Sequence, residues 1–456
     1  MPTRTPNSNS KGKKEPLLTI TGGLLILTGI VLNEWTLASL TSDGKIDSRG
    51  QLLLIRLFDL STILLGAALI IFRKSQWLLK LLASLAVLLL TVFVLDTLLY
   101  FSAPLLPESL VLAMSPNAQL RYIRSDPPNN PWVYDDYIRY AKPGATVELF
   151  GIQVQADSLG YRNPPGYLAQ RSGIDVVLVG DSFIWGTEET TIADHLREVV
   201  APMSVYSVGM AGDGISQWRY HYQRFVQGSN TSPRIVALNF YSGNDITDTR
   251  LFLGLQSRRD PINAAEYYAY LNYQFLVPSP GRTLPLPKPP ELLFLANYTF
   301  DIFQNRNLQS QESQPSLQIA GQPVLACAHH REPYPEQFGP DIFAEIQRTV
   351  QTIQTLTPDA KILLSYIPTS GGLYGDLMTA CPDYANDIPR QQAASQILAQ
   401  YADQLGIYYF DATPQLRQYA KTSVVWSQID HFSPLGYRLY AELLAEAIQS
   451  LSEGQE

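Results

Sequence analysis

A short apolar run that ends in glycine, aspartate and serine constrains the local structure around residue 182. The run Ile174-Asp175-Val176-Val177-Leu178-Val179 is followed directly by Gly180-Asp181-Ser182. This pattern is typical of a strand that turns tightly into a helix at the carboxyl edge of a parallel sheet. Such a turn lifts the Ser182 hydroxyl out of the sheet, beside the free N–H groups of the helix start. Ser182 is therefore a candidate nucleophile.

From Ile174 onward, short apolar segments alternate with longer amphipathic segments. The alternation indicates βαβ units, and hence an α/β fold with a parallel five-stranded sheet. The predicted strands are 174–180, 203–208, 233–240, 360–367 and 407–411. The predicted helices are about 190–200, 214–227, 340–356, 390–405 and 434–451.

The beginning of the chain has a different composition. At 456 residues the sequence is too long for one ordinary domain, and its apolar excess lies before about residue 104. The stretches 16–40, 51–72 and 77–101 are each long enough to cross a hydrocarbon core, which needs roughly 20 residues of helix. A signal peptide is the alternative for the first stretch, but its apolar region is too long and no small-residue cleavage pattern follows. We therefore predict an all-α anchor of three transmembrane helices within residues 1–104.

Basic residues predict the orientation of this anchor. They precede the first apolar stretch and surround the connection between the second and third stretches. Both places should therefore be cytoplasmic. The residues concerned are Arg4, Lys11, Lys13, Lys14, Arg73, Lys74 and Lys80. Three spans then predict a multi-pass integral membrane protein whose C-terminal domain is periplasmic or extracellular. Cys327 and Cys381 both lie in that exported part, where a disulfide is permitted; two separate thiols are the alternative.

The exported part divides into two predicted regions. Residues 105–172 are rich in Pro, Asn, Asp and Tyr, which is typical of a spacer and lead-in. Residues 173–452 form the α/β domain, with an insertion at about 250–335 that is too long for a simple connection and could act as a lid. Its tyrosines could stack on sugar rings or simply pack inside the protein. They are Tyr267, Tyr268, Tyr270 and Tyr273.

Three more polar groups follow predicted strands. Gly212 lies in a glycine-rich turn after the second strand, Asn244 follows the third, and His431 comes after the fifth and just before the last helix. Serine, histidine and neutral N–H donors are the parts that an acyl-transfer site requires. Taken alone, Gly212 and Asn244 are also ordinary turn residues.

Together these motifs resemble those of the SGNH hydrolases, also called GDSL-type esterases and lipases. The resemblance begins at Asp157-Ser158-Leu159-Gly160-Tyr161-Arg162, similar to a lead-in of membrane-anchored bacterial members, and runs through the last helix. It implies a flavodoxin-like, three-layer α/β/α fold. It also implies Ser182 as the nucleophile, His431 as the base, and Gly212 and Asn244 as oxyanion donors beside the Ser182 N–H.

The sequence departs from the family pattern at the catalytic acid. The family usually places an aspartate two or three residues before the histidine, where this chain has Ile429 and Gln428. Asp430 is directly adjacent to His431, and an adjacent side chain tends to project elsewhere. Asp430 after a local shift, Gln428, Ser427 or a main-chain carbonyl could orient the imidazole. We favour a Ser–His dyad.

The remaining histidines offer no better base. His195 and His221 fall within predicted helices and should not reach the strand-end face. His329 and His330 with Cys327 suggest a zinc site, but adjacent histidines point apart and no further ligand follows at a suitable spacing. We predict no metal and no other cofactor. The net charge of −8, without a basic aromatic stripe, argues against binding of nucleic acid.

Two functions fit these observations. The first is a membrane-anchored serine esterase or O-acyl transferase that acts outside the cytoplasm on ester-linked acyl groups of glycans, lipids or envelope polymers. Its partner would be an acylated small molecule, lipid or glycan, and the sequence indicates no particular protein partner. The second is a catalytically weak binding or assembly module for polysaccharide, which the unusual acid position favours. The intact serine, glycine, asparagine and histidine favour the first.

Overall fold

The computed structural model describes most of the chain. The described residues are 14–31, 49–71, 76–106, 108–111, 114–127, 130–258, 260–276, 316–319, 322–326, 335–378, 386–427 and 431–453. Several predictions fall outside these ranges, namely those for Cys327, Cys381, His329, His330 and Asp430. The chain divides into two compact units, Met1–Leu98 and Leu99–Glu456, which are described in turn.

Helices dominate the first unit. They are α1 (Lys14–Val31), α2 (Arg49–Ile71) and α3 (Gln76–Ser102), the last of which extends past the unit boundary. Helices α1 and α2 approach closely at two glycines, since a Cβ atom on Gly22 would lie 2.6 Å from the Gly66 carbonyl oxygen. Over the ranges given above, no helix is both long and apolar enough to cross a membrane. The three-span anchor stays a prediction.

The second unit opens with two small helices and two hairpins. The helices are α4 (Glu108–Val111) and α5 (Pro116–Arg124). The hairpins pair β1 (Trp132–Tyr134) with β2 (Arg139–Ala141), and β3 (Thr146–Leu149) with β4 (Ile152–Gln155). Trp132, Val147 and Tyr161 are buried in the same hydrophobic cluster as the central sheet. The predicted spacer therefore contributes to the core of the α/β unit.

The central sheet contains the five predicted strands and is parallel throughout. The strands are β5 (Val176–Gly180), β6 (Val205–Ser207), β7 (Ile235–Tyr241), β10 (Lys361–Ile367) and β11 (Tyr408–Asp411). Their order is β11-β10-β7-β5-β6, so β5 lies between β7 and β6. The prediction of an α/β fold with a five-stranded parallel sheet is confirmed. Strands β8 (Ser316–Ile319) and β9 (Gln322–Ala326) form a separate hairpin in the insertion.

Helices cover both faces of this sheet. Along β5, Val176 and Leu178 belong to one hydrophobic cluster and Val177 and Val179 to the other, as the alternation of side chains in a strand requires. The helices are α6 (Ser182–Trp185), α7 (Ile192–Val199), α8 (Ile215–Ser229), α9 (Asp245–Gln256), α10 (Ala264–Leu276), α11 (Pro340–Leu356), α12 (Ser370–Tyr374), α13 (Asp387–Leu405), α14 (Thr413–Ala420) and α15 (Pro434–Glu453).

Helices α9 and α10 occupy the start of the predicted insertion. Tyr267 and Tyr268 on α10 are 0% and 1% exposed, and both hydroxyls donate hydrogen bonds to the loop around Gly212. The hypothesis that these two rings stack on sugars is therefore wrong, because the rings fill the interior between α10 and that loop. The side chain of Tyr273 lies outside the described residues.

Candidate active site

Ser182 and His431 form the centre of the site. The Ser182 Oγ atom is 2.8 Å from the Nε2 atom of His431, although 249 residues separate the two along the chain. Ser182 is the first residue of α6, and Asp181 caps this helix by accepting a hydrogen bond of 2.9 Å from the Phe183 N–H. The cap fixes the tight turn after β5, and the turn presents the Ser182 hydroxyl at the strand end.

Backbone contacts between residues 426–427 and 431–432 hold His431 in place. The Ser427 N–H donates to the His431 carbonyl oxygen at 2.7 Å, and Trp426 pairs with Phe432 as an antiparallel bridge. The imidazole stacks on Phe183, with ring centroids 4.7 Å apart and an interplanar angle of 28°. Because Phe183 directly follows Ser182, this contact sets the position of the histidine relative to the serine.

Phe150 is a site residue that sequence reasoning missed. It lies at the turn of the β3–β4 hairpin, with a φ of 55°, and its ring centroid is 5.4 Å from that of His431. The side chain is 43% exposed, which is unusual for phenylalanine, so it is positioned to contact a molecule that approaches His431. Phe150 and Gly151 both have positive φ, as a type I′ hairpin turn requires, and only Gly151 signalled such a turn in the sequence.

The partner that orients His431 stays open among the predicted alternatives. Gln428, Ile429 and Asp430 lie outside the described residues. The Ser427 hydroxyl oxygen is buried and has no hydrogen-bond partner among the described groups. The assignment of Asp430 as the catalytic acid therefore stays a prediction, as does the dyad.

Gly212 occupies a position that excludes other residues. Its φ of 81° lies in the left-handed region, and a Cβ atom there would lie 2.6 Å from the Leu271 Cδ2 atom of α10. The Tyr267 hydroxyl donates to the Gly212 carbonyl oxygen at 2.7 Å. The loop after β6 is therefore packed tightly against α10, with its backbone conformation determined.

Asn244 is the residue just before α9. Its amide nitrogen donates to Asp248 Oδ2 at 2.8 Å, while its Oδ1 atom has no partner among the residues the structure describes. Because β6 and β7 flank β5 in the sheet, the loops that carry Gly212 and Asn244 lie on either side of the Ser182 turn. The topology thus brings the three predicted motifs to one edge, while their catalytic roles stay predictions.

Two buried carboxyl groups lie beneath this edge. Burial raises the pKa of Asp181 to about 7. Burial, followed by the charge of Asp181, raises the pKa of Asp245 well above its usual range. Asp245 Oδ2 accepts a hydrogen bond of 2.7 Å from the Tyr241 N–H, which braces the end of β7. Both carboxyl groups therefore hold their protons to higher pH than an exposed aspartate does.

The lead-in residue Arg162 supports the nucleophile helix from its other end. Its guanidinium donates four hydrogen bonds to carbonyl oxygens at the end of α6 and in the segment that follows it, and burial lowers its pKa. The accepting oxygens are those of Trp185 at 3.1 Å, Gly186 at 2.7 Å, Glu188 at 2.6 Å and Glu189 at 2.9 Å. The conformation of the chain that follows Ser182 therefore depends on a residue from the lead-in.

His221 lies behind the loop that carries Gly212. Its Nε2 atom contacts Asp213 Oδ2, directly after Gly212, and the imidazole is not part of the Ser182–His431 pair. Because α8 begins at Ile215, His221 lies less than two turns from the helix start, and the Asp213 side chain folds back towards it. The imidazole is 1% exposed, and its Nδ1 atom is 2.9 Å from the Tyr161 hydroxyl. His221 therefore supports the loop from behind, while His195 lies on α7.

Other ligand sites are few in the part of the chain that the structure describes. No group of His, Cys, Asp or Glu side chains there could hold a metal ion. A surface cavity of about 470 Å³ is lined by Arg219, Leu253, Gln256, Ser257 and Arg348, and none of these is a site residue. Both of its arginines pair with the buried Glu345, so this cavity offers little free charge.

Comparisons with known proteins find similarity only among solved structures. No family model matches the chain, and no curated protein matches it. A lipase/acylhydrolase from Enterococcus faecalis is 13% identical, with 61% of this chain and 96% of that chain covered and a TM-score of 0.30. A catalytic mutant of an acetylxylan esterase from Geobacillus stearothermophilus is 11% identical, with 61% and 94% covered and a TM-score of 0.31. An acetyl xylan esterase from Butyrivibrio proteoclasticus is 11% identical, with 62% and 65% covered and a TM-score of 0.30.

Proposed function

We propose that this protein is a serine esterase or O-acyl transferase that forms an acyl-enzyme on Ser182. The observation that carries the proposal is the distance of 2.8 Å between Ser182 Oγ and His431 Nε2, at the first residue of a capped helix. A hydroxyl within hydrogen-bond reach of an imidazole is the arrangement that activates serine as a nucleophile.

The reaction would proceed in two halves. Ser182 Oγ attacks the ester carbonyl carbon while His431 Nε2 takes the hydroxyl proton. The tetrahedral intermediate then collapses, and the departing alcohol receives that proton from His431. Water or a sugar hydroxyl attacks the acyl-enzyme in the second half, again with His431 as the base. Hydrolysis and transfer therefore differ only in which acceptor reaches the acyl group.

Three donors would stabilise the negative charge that develops on the carbonyl oxygen. They are the Ser182 N–H at the start of α6, the Gly212 N–H, and the amide of Asn244. Neutral donors fixed before the reaction are effective because they need no reorganisation when the charge appears. The tight packing of Gly212 against α10 supports this role, since it limits movement of the loop.

We further propose that the N-terminal unit anchors the enzyme in a membrane, with the α/β unit in the periplasm or outside the cell. The apolar sequence supports this, as do side chains such as Leu24, Leu64 and Ile71, which are 58%, 59% and 72% exposed. The glycine contact between α1 and α2 is of the kind that joins membrane helices. The substrates would then be ester-linked acyl groups on glycans, lipids or envelope polymers.

A fluorophosphonate probe tests the catalytic proposal. On detergent-solubilised full-length protein, the probe should label Ser182, and Ser182→Ala should abolish labelling. Ser242→Ala is the matched control, because Ser242 is also a buried serine that follows a central strand. No labelling of folded wild-type protein would contradict the proposal and favour the polysaccharide-binding module.

A reporter fusion tests the location. A phosphatase reporter joined after residue 456 should be active, because the phosphatase folds only outside the cytoplasm. A fluorescent reporter that folds only in the cytoplasm should stay dark at the same position. The opposite pair of results would overturn the proposed topology.

A further inference from the structure

Both peptide groups that flank Gly212 are held by side chains. The Ala211 carbonyl oxygen accepts a hydrogen bond of 2.9 Å from Arg139 Nη2, and the Gly212 carbonyl oxygen accepts one from Tyr267. The Ala211 carbonyl and the Gly212 N–H belong to one planar peptide group and point in opposite directions. The direction of the Gly212 N–H therefore depends on where Arg139 holds the oxygen at the other end.

Arg139 is itself fixed between two aromatic rings. Its guanidinium carbon is 4.3 Å from the ring centroid of Trp132 and 3.9 Å from that of Tyr268. Contacts of this kind stabilise the cation and restrict the plane of the guanidinium. Trp132 also packs on Trp185, the last residue of the nucleophile helix, with ring centroids 6.0 Å apart. The β1–β2 hairpin thus contacts both the Gly212 loop and the helix that begins at Ser182.

We propose that Arg139 is a positioning residue of the oxyanion hole, and this rests on the function proposed above. Its first effect is geometric, because the hydrogen bond to Ala211 aims the Gly212 N–H at the substrate oxygen. Its second effect is electrostatic. A guanidinium at the carbonyl draws electron density away from the nitrogen of the same peptide, which makes the N–H a stronger donor.

Arg224 provides a matched control for a purely structural role. Its guanidinium carbon is 3.4 Å from the ring centroid of Tyr140, and its Nε and Nη2 atoms donate to the Leu159 carbonyl oxygen at 3.2 and 3.1 Å. It therefore makes the same kinds of contact as Arg139. Its aromatic partner, Tyr140, lies next to Arg139 in the β1–β2 hairpin, whereas Arg224 itself lies on α8. The Leu159 carbonyl, however, belongs to no peptide of the proposed oxyanion hole.

The experiment compares both arginines in full-length protein in detergent, with p-nitrophenyl acetate as the substrate. Arg139→Ala should lower kcat about 10- to 100-fold with little change in KM, because the donor is needed mainly in the transition state. Arg139→Lys, which keeps a cation, should lower kcat less than Arg139→Ala does. Arg224→Ala should lower the unfolding temperature about as much as Arg139→Ala does, but it should leave kcat within about twofold of wild type. Millimolar guanidinium should restore part of the activity of Arg139→Ala only.

Hydrogen exchange of the peptide that contains residues 208–214 tests the geometry without any assay of activity. Exchange should rise in Arg139→Ala and not in Arg224→Ala. If wild type lacks Ser182-dependent activity, the proposed function fails, and this measurement still decides whether Arg139 holds the loop. The positioning role is overturned if exchange is unchanged in Arg139→Ala, or if kcat stays within twofold of wild type. Should Arg139→Ala not fold, Arg139→Lys takes its place in both measurements.

Discussion

The two sides of the Gly212 loop are built from different kinds of contact. On the serine side lie Ser182, His431 and Asn244, where a single hydrogen bond joins the serine and the histidine and the Asn244 Oδ1 atom has no partner among the described groups. The buried side is a continuous polar chain. It runs from Tyr161 through His221 and Asp213 to Tyr268, with Tyr267 and Arg139 on the adjacent carbonyls.

This difference separates chemistry from support. Groups that exchange protons or donate to a substrate oxygen need hydrogen-bonding capacity that the protein does not fully occupy, and the buried, unpaired Asn244 Oδ1 atom shows that the serine side tolerates the cost. Buried polar groups need their partners, because an unpaired one costs about 1–3 kcal/mol. Changes on the serine side should therefore alter rate at nearly constant stability. Changes on the buried side should lower stability, with an additional loss of rate at Arg139, whose contact aims the Gly212 N–H.

The largest effect is expected for the serine and histidine. Ser182→Ala and His431→Gln should each lower the kcat for p-nitrophenyl acetate by at least about 10³-fold, because each removes the activated nucleophile. The two losses should not add in the double variant, since the residues act as one unit. Thermal unfolding, followed by tryptophan fluorescence, should be nearly unchanged. Residual activity above about a tenth of wild type in Ser182→Ala would exclude Ser182 as the nucleophile.

A smaller effect is expected for the third residue of the serine side. Asn244→Ala should reduce kcat by about 10²- to 10³-fold, as for the loss of one oxyanion donor, with little change in KM. Asp248→Asn is the control, because Asp248 accepts the hydrogen bond from the Asn244 amide without touching the nucleophile. It should cost less than about tenfold, since a neutral acceptor still orients the amide. Equal losses in the two variants would point to a damaged loop instead of a lost donor.

On the buried side, stability should change first. The Asp213 carboxylate accepts a hydrogen bond from the Tyr268 hydroxyl and contacts the His221 imidazole. All three side chains are almost fully buried. Asp213→Asn replaces one acceptor oxygen by a donor group, so the free energy of unfolding should fall by about 3 kcal/mol. Chemical denaturation in detergent measures the loss. An unchanged midpoint would show that the polar chain adjusts easily, and the comparison of the two sides would then fail.

The sequence predicts the serine side better than the buried side for a physical reason. Strands buried on both faces read as continuous apolar runs, and parallel strands gather their carboxyl ends at one edge. Ser182, Gly212 and Asn244 could therefore be placed at one edge of the sheet from position, while the roles predicted for them come from the family resemblance. This rule does not reach His431, because α14 lies between the last strand and the histidine, and its contact with Ser182 is visible only in the tertiary structure.

The buried side depends on side-chain directions that periodicity does not contain. His221 and Asp213 are eight residues apart and meet only because the loop turns directly into α8. Arg139 lies in a segment whose composition predicts a spacer, and its contact with Ala211 spans 72 residues. Phe150 depends on a two-residue turn for its place beside His431. Long-range pairings of this kind require the tertiary structure.

The smallest predicted effect is a change in the pH dependence of stability. It concerns Asp181 and Asp245, which are buried beneath both sides of the loop. A carboxyl group whose pKa is raised in the folded state holds a proton that the unfolded chain has already released. Stability therefore falls as pH rises from the ordinary value near 4 to the folded value of about 7 for Asp181. Asp181→Asn removes this loss and keeps the helix cap, since an asparagine oxygen can also accept from the Phe183 N–H.

The unfolding temperature of Asp181→Asn should therefore exceed that of wild type more at pH 8 than at pH 5. Between pH 5 and pH 8, the gain in the free energy of unfolding should grow by about 2 kcal/mol. This value is lower than the pKa shift alone would give, because the two carboxyl groups titrate together. Asp245→Asn should act in the same direction. The double variant should gain less than the sum, because the charge of Asp181 raises the pKa of Asp245, and the substitution of Asp181 alone already removes that effect. Equal gains at pH 5 and pH 8 would mean that the substitution acts through packing, and the buried carboxyl groups would then not contribute to the pH dependence of folding.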